Sequence, residues 1–276
     1  MRAADLRRIA GQQRISVGFL EKDYAITCFL SALYGSGLGD SLVFKGGAAL
    51  RKVYFPETWR LSHDLDFTSL GEPDTQTIKS ELQLVFEKVA AEHGVSMSLE
   101  SFHETPGIVM AEIRFRGPLE YPNTLKLDIT LDEKMVLEPE WAAVRTGYPD
   151  IPEFRVKAYS LKEIFIEKLR SMMQRSRSRD YFDVWKLLSE KEFDLTEIKA
   201  LLIEKCRTRG VEYRPQLIFD AEKLREVSAY WERGLGDLME ELPKFDVVIA
   251  ELRGKLRTLT KEKTTDRGVS PQSSVG

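Results

Sequence analysis

The sequence predicts an α+β (mixed α/β) protein: a mixed sheet with helices in the first half, then a helical second half. Three observations predict it. Apolar and polar residues alternate through MAEIRFR, and again through Leu125, Leu127, Ile129 and Leu131 against Lys126, Asp128, Thr130 and Asp132, the period of two that a half-buried strand requires. After FRVKAYS the spacing lengthens to that of helices, in SLKEIFIEKLRSMMQRS, SRDYFDVWKLLSE and DLTEIKALLIEKCRT. Between the two regimes a Pro-containing stretch, 139–152, reads as loop. The expected division is therefore a core with N-terminal helices over 1–152, a helical domain over 153–257, and a tail over 258–276 too poor in apolar residues to order itself.

Taken in order, residues 2–12 and 18–34 read as helices, the second carrying Phe19, Tyr24, Ile26, Phe29, Leu30 and Leu33. SGLGD is a breaker. SLVFK is a short apolar strand, GG a turn, and AALRKVYF a helix of about two turns that Pro56 ends, because proline lacks an N–H and clashes with the preceding turn. Leu61 to Phe67 is the next strand, followed by the GEPD turn and a helix from Thr75 to Glu92. VSMSLESF, IVMAEIRFRG and LKLDITLD complete the strands, with GPLEYPNT as a connection.

A chain of 276 residues with 42% hydrophobic and 31% charged content has enough apolar material for a coherent core. Its two cysteines, Cys28 and Cys206, are too far apart for metal spacing and suggest no disulfide framework, which fits a reducing, cytoplasmic setting. No apolar run approaches the length of a membrane span, so no membrane partner is expected. The net charge of −3 is unevenly spread: RKVYFPETWR, KLRSMMQRSRSRD and RGKLRTLTKEK are basic. Local basic surfaces of this kind hold polyanions even on a slightly acidic protein.

The chemistry concentrates around DLD. Asp64 and Asp66 lie two apart on a strand, so both carboxylates face one way while Leu65 and Phe67 face the other. Like charges so placed repel unless a cation offsets them, and hard oxygen donors suit Mg2+ or Mn2+. Asp128 has the same polar-face phase on another strand and supplies a third carboxylate. Gly46 and Gly47 stand before a short helix, where bare backbone amides receive a phosphate at close range. Together these are the parts of a metal-assisted nucleotidyl-transfer site. The residues alone leave open a surface acidic strand after an incidental GG turn, and a nuclease or calcium-binding use of the carboxylates.

The ordered set GGAALRKVYF, RLSHDLDF, KLDIT, EIFIEKLRS and RDYFDVWKL, with the earlier EKDYAI, resembles the AbiEii/AbiGii toxin family over roughly residues 20–190. That family is a branch of the DNA polymerase beta-like nucleotidyltransferases. The resemblance implies a polymerase beta-like core and a metal-dependent transfer of a nucleotide from a nucleoside triphosphate to an acceptor, with transfer RNA or another RNA in that place. It also implies a toxin of a type IV toxin–antitoxin pair with a winged-helix antitoxin as partner. It assigns Gly46 and Gly47 to the phosphate-binding turn, Asp64 and Asp66 to metal binding, and Asp128 to the third strand carboxylate that activates the attacking hydroxyl. Lys168 matches a lysine that holds the nucleotide's phosphates, and Asp180 an aspartate that orients the nucleotide or that lysine.

Two positions depart from the family. Ala48 stands where serine or threonine commonly follows the glycines, removing a hydroxyl donor, and His63 stands where glutamate usually precedes DLD. They keep a second class in view, a catalytically silent nucleotide- or antitoxin-binding protein. One place out of phase with Asp64, His63 faces the opposite side, in a structural or a substrate-modulating role.

In the helical half, Ile164, Phe165, Leu169 and Met172 form a buried stripe from which Glu163, Glu167 and Lys168 fall away, so that an exposed helix lysine is the plain alternative for Lys168. Arg175, Arg177 and Arg179 sit near a turn between helices, where planar guanidinium groups suit triphosphate or RNA backbone and equally suit a solvated junction. Asp180 also suits a helix start, and Asp183 a pair with Arg179 or Lys186. Trp185, Leu187 and Leu188 read as packing residues. No RNA-recognition module is visible, so an RNA is expected to be held by shape and charge.

Overall fold

The computed structural model describes residues 1–56, 59–71 and 74–260. Seven strands, β1 (Leu42–Lys45), β2 (Asp64–Ser69), β3 (Ser96–Thr105), β4 (Ile108–Arg116), β5 (Pro122–Thr130), β6 (Glu140–Val144) and β7 (Phe154–Ala158), form one mixed sheet in the order β3-β4-β5-β2-β1-β7-β6. β2 runs parallel to β5 and antiparallel to β1, and β1 runs parallel to β7. The mixed α/β class expected from the sequence is the one observed.

Helices α1 (Ala3–Gln13), α2 (Val17–Tyr34), α3 (Gly37–Ser41), α4 (Gly46–Ala49) and α5 (Thr75–His93) belong to the first half. The apolar residues of the alternating strands, Leu65, Phe67, Leu125, Leu127 and Ile129, are fully buried beneath this helical layer. α2 is apolar nearly all round because it lies between other elements, packing on α1, α3, α5, β5 and β7. Asp64, Asp66, Lys126 and Asp128 thereby lie on the other face, beside the second helical half.

That half comprises α6 (Leu161–Gln174), α7 (Ser178–Glu190), α8 (Leu195–Thr208), α9 (Ala221–Ala229), α10 (Trp231–Leu235), α11 (Phe245–Lys255) and α12 (Arg257–Thr260). α6 begins where the Ser160 hydroxyl accepts the Glu163 N–H at 3.2 Å, and α8 where the Asp194 carboxylate accepts the Thr196 N–H at 2.8 Å. Both caps satisfy donors that a helix start leaves free.

Several local expectations are corrected. SGLGD does separate α2, which ends at Tyr34, from β1, but it does so as the single-turn α3. The stretch expected as loop contains β6, and β7 lies beyond the boundary expected at 152, yet both are strands of the sheet: Phe44 of β1 is the partner of Ala158. β7 is short, pairs along β6 and meets β1 at a single position; the alternation of Phe154, Val156 and Ala158 against Arg155 and Lys157 is the strand signal it carries. β2 starts at Asp64, later than Leu61, because the Leu61 N–H donates to the Leu238 carbonyl at 2.8 Å and ties that segment to the helical half. The helix after the glycines widens at its end: the Phe55 N–H reaches the Leu50 carbonyl, five residues back, at 2.9 Å. Beyond residue 260 the expected loose tail lies outside the described residues. Among the described residues no helix is long and apolar enough to cross a membrane.

Candidate active site

β2 and β5 build the acidic face. Asp66 and Asp128 are Cα partners on these adjoining parallel strands, and Asp64 is the partner of Lys126, so the three carboxylates share one side of the sheet. Burial pushes the Asp66 carboxyl up to about 6, and Asp64 and Asp128 beside it push the same way. Burial also raises Asp128, with Asp64 adding to it. A carboxyl raised by burial and by like charge is one whose ionised form a cation would stabilise.

Gly46 explains the pair of glycines. Its φ is +77°, the left-handed region, and a Cβ there would lie 2.4 Å from Asp66 Oδ2. No side chain fits between the turn and the carboxylate. Gly47 is needed for space: a Cβ would meet Arg60 Nη2 at 2.8 Å and Ser62 Oγ at 3.0 Å. The next residue, Ala48, is buried, so the departure from a hydroxyl side chain falls on a packed position.

The helical half supplies cations. Arg179 Nη1 donates to Asp64 Oδ2 at 3.0 Å, an exposed pair joining α7 to β2. Arg175 donates to Asp180 at 2.8 Å, and Arg177 is exposed with its charge felt at Asp128. Lys168 is no exposed helix lysine. It is buried between Asp180 and Asp183, with Nζ 2.9 Å from each, because α6 is covered by α7 on the side where the stripe was expected to end. Burial would lower the Lys168 pKa, but Asp180 and Asp183 outweigh it and raise it. Its ammonium has a third donor beyond those two aspartates, and its charge is felt at Asp66.

Asp180 is a partner of Lys168 and Arg175 rather than a helix cap. Burial alone would raise it; the two cations hold it at about 2. Asp183 pairs with neither Arg179 nor Lys186. It takes Arg60 in a two-pronged contact, Nε at 2.8 Å and Nη2 at 2.7 Å, and all of these groups are buried. His63 faces away from Asp64, stacked on Phe19 with ring centroids 4.9 Å apart; burial pushes it down to about 4, leaving it neutral and packed.

Sequence patterning missed Lys22, Lys45 and Arg60. Lys22 and Lys126 add positive charge beside Asp64 and beside each other. Lys45 is the Cα partner of Asp66 across β1 and β2, a position that the period of β1 would have revealed had the pairing been known. Arg60 gives no periodic signal, since it precedes the strand.

For a metal, the donor set is all carboxylate oxygen, which fits Mg2+ or Mn2+. Among the described residues no three acidic, His or Cys side chains converge into a ready-made ion cage. That too fits magnesium, which takes one or two carboxylates and completes its shell with water and substrate phosphates. A cleft of about 1190 Å3 opens elsewhere, beside Asp23, Arg51, Trp59 and Trp185; none of the three strand carboxylates lines it. The acidic face is half-buried and meets α7 through the Arg179 pair with Asp64.

Comparison with known proteins follows the same lines. A family profile described as "Nucleotidyl transferase AbiEii toxin, Type IV TA system" matches residues 28–251. Among solved structures the chain is similar to MenT4, a nucleotidyltransferase toxin from Mycobacterium tuberculosis H37Rv, at 19% identity and a TM-score of 0.71, covering 96% of this chain and 91% of that one. At that identity the likeness speaks for the fold. No curated protein matches the sequence. With the family profile spanning most of the chain, from α2 into α11, the protein belongs to the AbiEii nucleotidyltransferase toxins of type IV toxin–antitoxin systems.

Proposed function

We propose that the protein transfers a nucleotidyl group from a nucleoside triphosphate to an RNA acceptor, transfer RNA being the first candidate, and that a winged-helix antitoxin is its partner. The observation that carries the reading is the contact of the two halves of the site: Asp66, beside Asp128 and two residues from Asp64, lies directly against the backbone of Gly46.

In this reading Asp64 and Asp66, with Asp128 alongside, hold a divalent cation that neutralises phosphate charge and polarises the reacting phosphoryl group. The amides at Gly46 and Gly47 receive phosphate oxygens. Lys168, anchored by two aspartates, offers its remaining donor from a fixed position, while Arg175, Arg177 and Arg179 offer guanidinium groups from the rim. The acceptor hydroxyl oxygen bonds to the α-phosphorus as the bond to the bridging oxygen of the β-phosphate breaks and pyrophosphate leaves. Asp128, raised and facing this point, takes the hydroxyl proton. Lys22 and Lys126 lie beside Asp64, where they favour an incoming phosphodiester strand.

The test is incubation with each labelled nucleoside triphosphate and total RNA in magnesium, comparing wild type with Asp64→Asn and Asp66→Ala. Asp64→Asn removes a charge and almost no volume, so circular dichroism is expected to be unchanged while transfer falls on the order of 100-fold. A folded Asp64→Asn protein with normal transfer removes the metal role. Absence of label from every triphosphate and acceptor with wild type leaves the silent binding protein that Ala48 and His63 kept in view.

A further inference from the structure

The polar face of the sheet does not end at the carboxylates. Beyond Asp66, on the side away from Asp64, it runs into a buried cluster of charge. Lys45 is the last residue of β1 and immediately precedes Gly46; its ammonium donates to Thr130 Oγ1 at 3.0 Å and to the Glu133 carboxylate. The other Glu133 oxygen, Oε1, accepts from Lys205 of α8 at 2.8 Å. Lys205 is fully buried and also donates to Glu163 Oε1 of α6 at 2.9 Å, with Glu167 Oε2 at 3.3 Å. The Glu163 carboxylate in turn accepts the N–H groups of Val136 and Leu137, at 3.2 and 3.0 Å. The ring of Tyr159 lies between the two ammonium groups, its centroid 5.7 Å from Lys45 Nζ and 5.5 Å from Lys205 Nζ, and its hydroxyl meets Thr68 at 2.6 Å.

A cluster that buries two glutamates and two lysines, with Glu167 half-buried beside them, is an expensive way to join elements. Apolar packing of the same volume is commonly as stable or more so, while a buried charge network fixes one geometry. What it fixes here can be read from its members. Lys45 adjoins the glycine turn and is the strand partner of Asp66. Glu163 and Glu167 lie on α6, the helix that carries Lys168.

We propose that Glu133 is a positioning residue of the nucleotide site: gripping Lys45 with one oxygen and Lys205 with the other, it sets the Gly46–Gly47 turn and Asp66 at a fixed place against α6 and its Lys168. The direction of the Asp66 interaction agrees, since Lys45 is the foremost cation favouring its ionised form. The inference rests on the nucleotidyltransferase reading of the site, and concerns residues that reading leaves unused.

The experiment measures the affinity of a nonhydrolysable nucleoside triphosphate in magnesium by calorimetry, with kcat and KM, well below the melting temperature. Glu133→Gln keeps the shape and loses the charge; Thr130→Val removes one acceptor of Lys45 and leaves every charge paired. Val248→Ala, a cavity in the core of α11, is the control for lost stability alone. Glu133→Gln is expected to weaken triphosphate binding and raise KM about tenfold or more, with a fall in kcat, and Thr130→Val about threefold or more. Val248→Ala should bind as wild type does. Wild-type affinity, kcat and KM in a folded Glu133→Gln protein overturn the proposal. If that variant does not fold, wild-type values in Thr130→Val overturn it. A wild-type protein that binds no triphosphate sinks the nucleotidyltransferase reading and this inference with it, a result separate from either variant outcome.

Discussion

Asp66 on the sheet and Asp180 on α7 are the same side chain, both facing the same site, and their environments drive them in opposite directions. Burial, with Asp64 and Asp128 adding to it, pushes Asp66 up to about 6 against the pull of Lys45 and Lys168, whereas at Asp180 the cations Lys168 and Arg175 outweigh burial and hold it at about 2. Burial acts alike on both, so the difference lies in the neighbours. A carboxylate whose cation is supplied by the chain belongs to the framework. One that burial and two neighbouring carboxylates raise despite Lys45 and Lys168 is set for a further cation from outside. The sheet and the helical half thus divide the work: the helices arrive with their charges balanced, and the strands do not.

The largest expected effect lies on the balanced side. Asp183→Ala leaves Arg60 and Lys168 buried against a missing partner, and removal of one member of such a network costs about 3–5 kcal/mol. Urea unfolding should show that loss. A variant within 1 kcal/mol of wild type would mean that the helical carboxylates are not framework after all.

On the unbalanced side the comparison predicts a gain. Asp66→Asn should lower transfer on the order of 100-fold, yet stabilise the metal-free protein by about 1–2 kcal/mol at pH 8, because a carboxyl raised above its unfolded value opposes folding once ionised. Calorimetric melting in a chelator checks the second half of that statement. A lower melting temperature would break the contrast.

The two sites should also leave opposite marks on stability against pH. Asp180 is held below its unfolded value, so its contribution is full above about pH 4 and is lost as pH falls toward 2, amounting to about 2 kcal/mol. Asp66 is held above its unfolded value, so stability falls as pH rises from about 4 to 6. Asp180→Asn should flatten the acid limb and Asp66→Asn the limb between pH 4 and 6; an exchange of the two effects would reverse the assignment.

Arg179→Gln is the smallest effect on folding and sharpens the border between the regions. Its pair with Asp64 is exposed on both sides, and such pairs contribute about 0–1 kcal/mol. Stability should be nearly unchanged while KM for the triphosphate rises several-fold. An unchanged KM would return Arg179 to the surface.

The acidic face was legible because a strand's period of two is a local property: DLD and KLDIT place Asp64, Asp66 and Asp128 on polar faces without any knowledge of the pairing. The glycine turn was legible for a similar reason, since adjacent glycines between strand and helix announce an unusual backbone. The partners of the buried charges were not. Asp183 finds Arg60, and Lys205 finds Glu133, across distances in sequence that no period spans. Lys168 reads from the sequence as lying off a buried stripe because a stripe describes one face of a helix, while α6 is packed by α7, α8 and the Pro215–Phe219 turn. β7 escaped although FRVKA alternates, because five residues directly before a helical region are too few for a period of two to stand out; pairing with β6 along all five, and with β1 at Ala158, makes them a strand.

The parallel pairing of β1 with β7 and the reach of Lys168 and Asp180 to the site bear on when the protein becomes harmful to the cell that makes it. Asp66 leaves the ribosome long before Asp180, an interval of roughly 6–20 s at ordinary elongation rates. Over that interval the nascent chain holds its glycine turn, Asp64 and Asp66 without Asp180, and for longer still without Lys205, the partner of Glu133. Sheet pairings so distant in sequence form slowly, because loop closure precedes their reward. Assembly of the whole site is therefore postponed to the last part of translation, and a chain ended before α6 holds the strand carboxylates without Lys168 or Asp180.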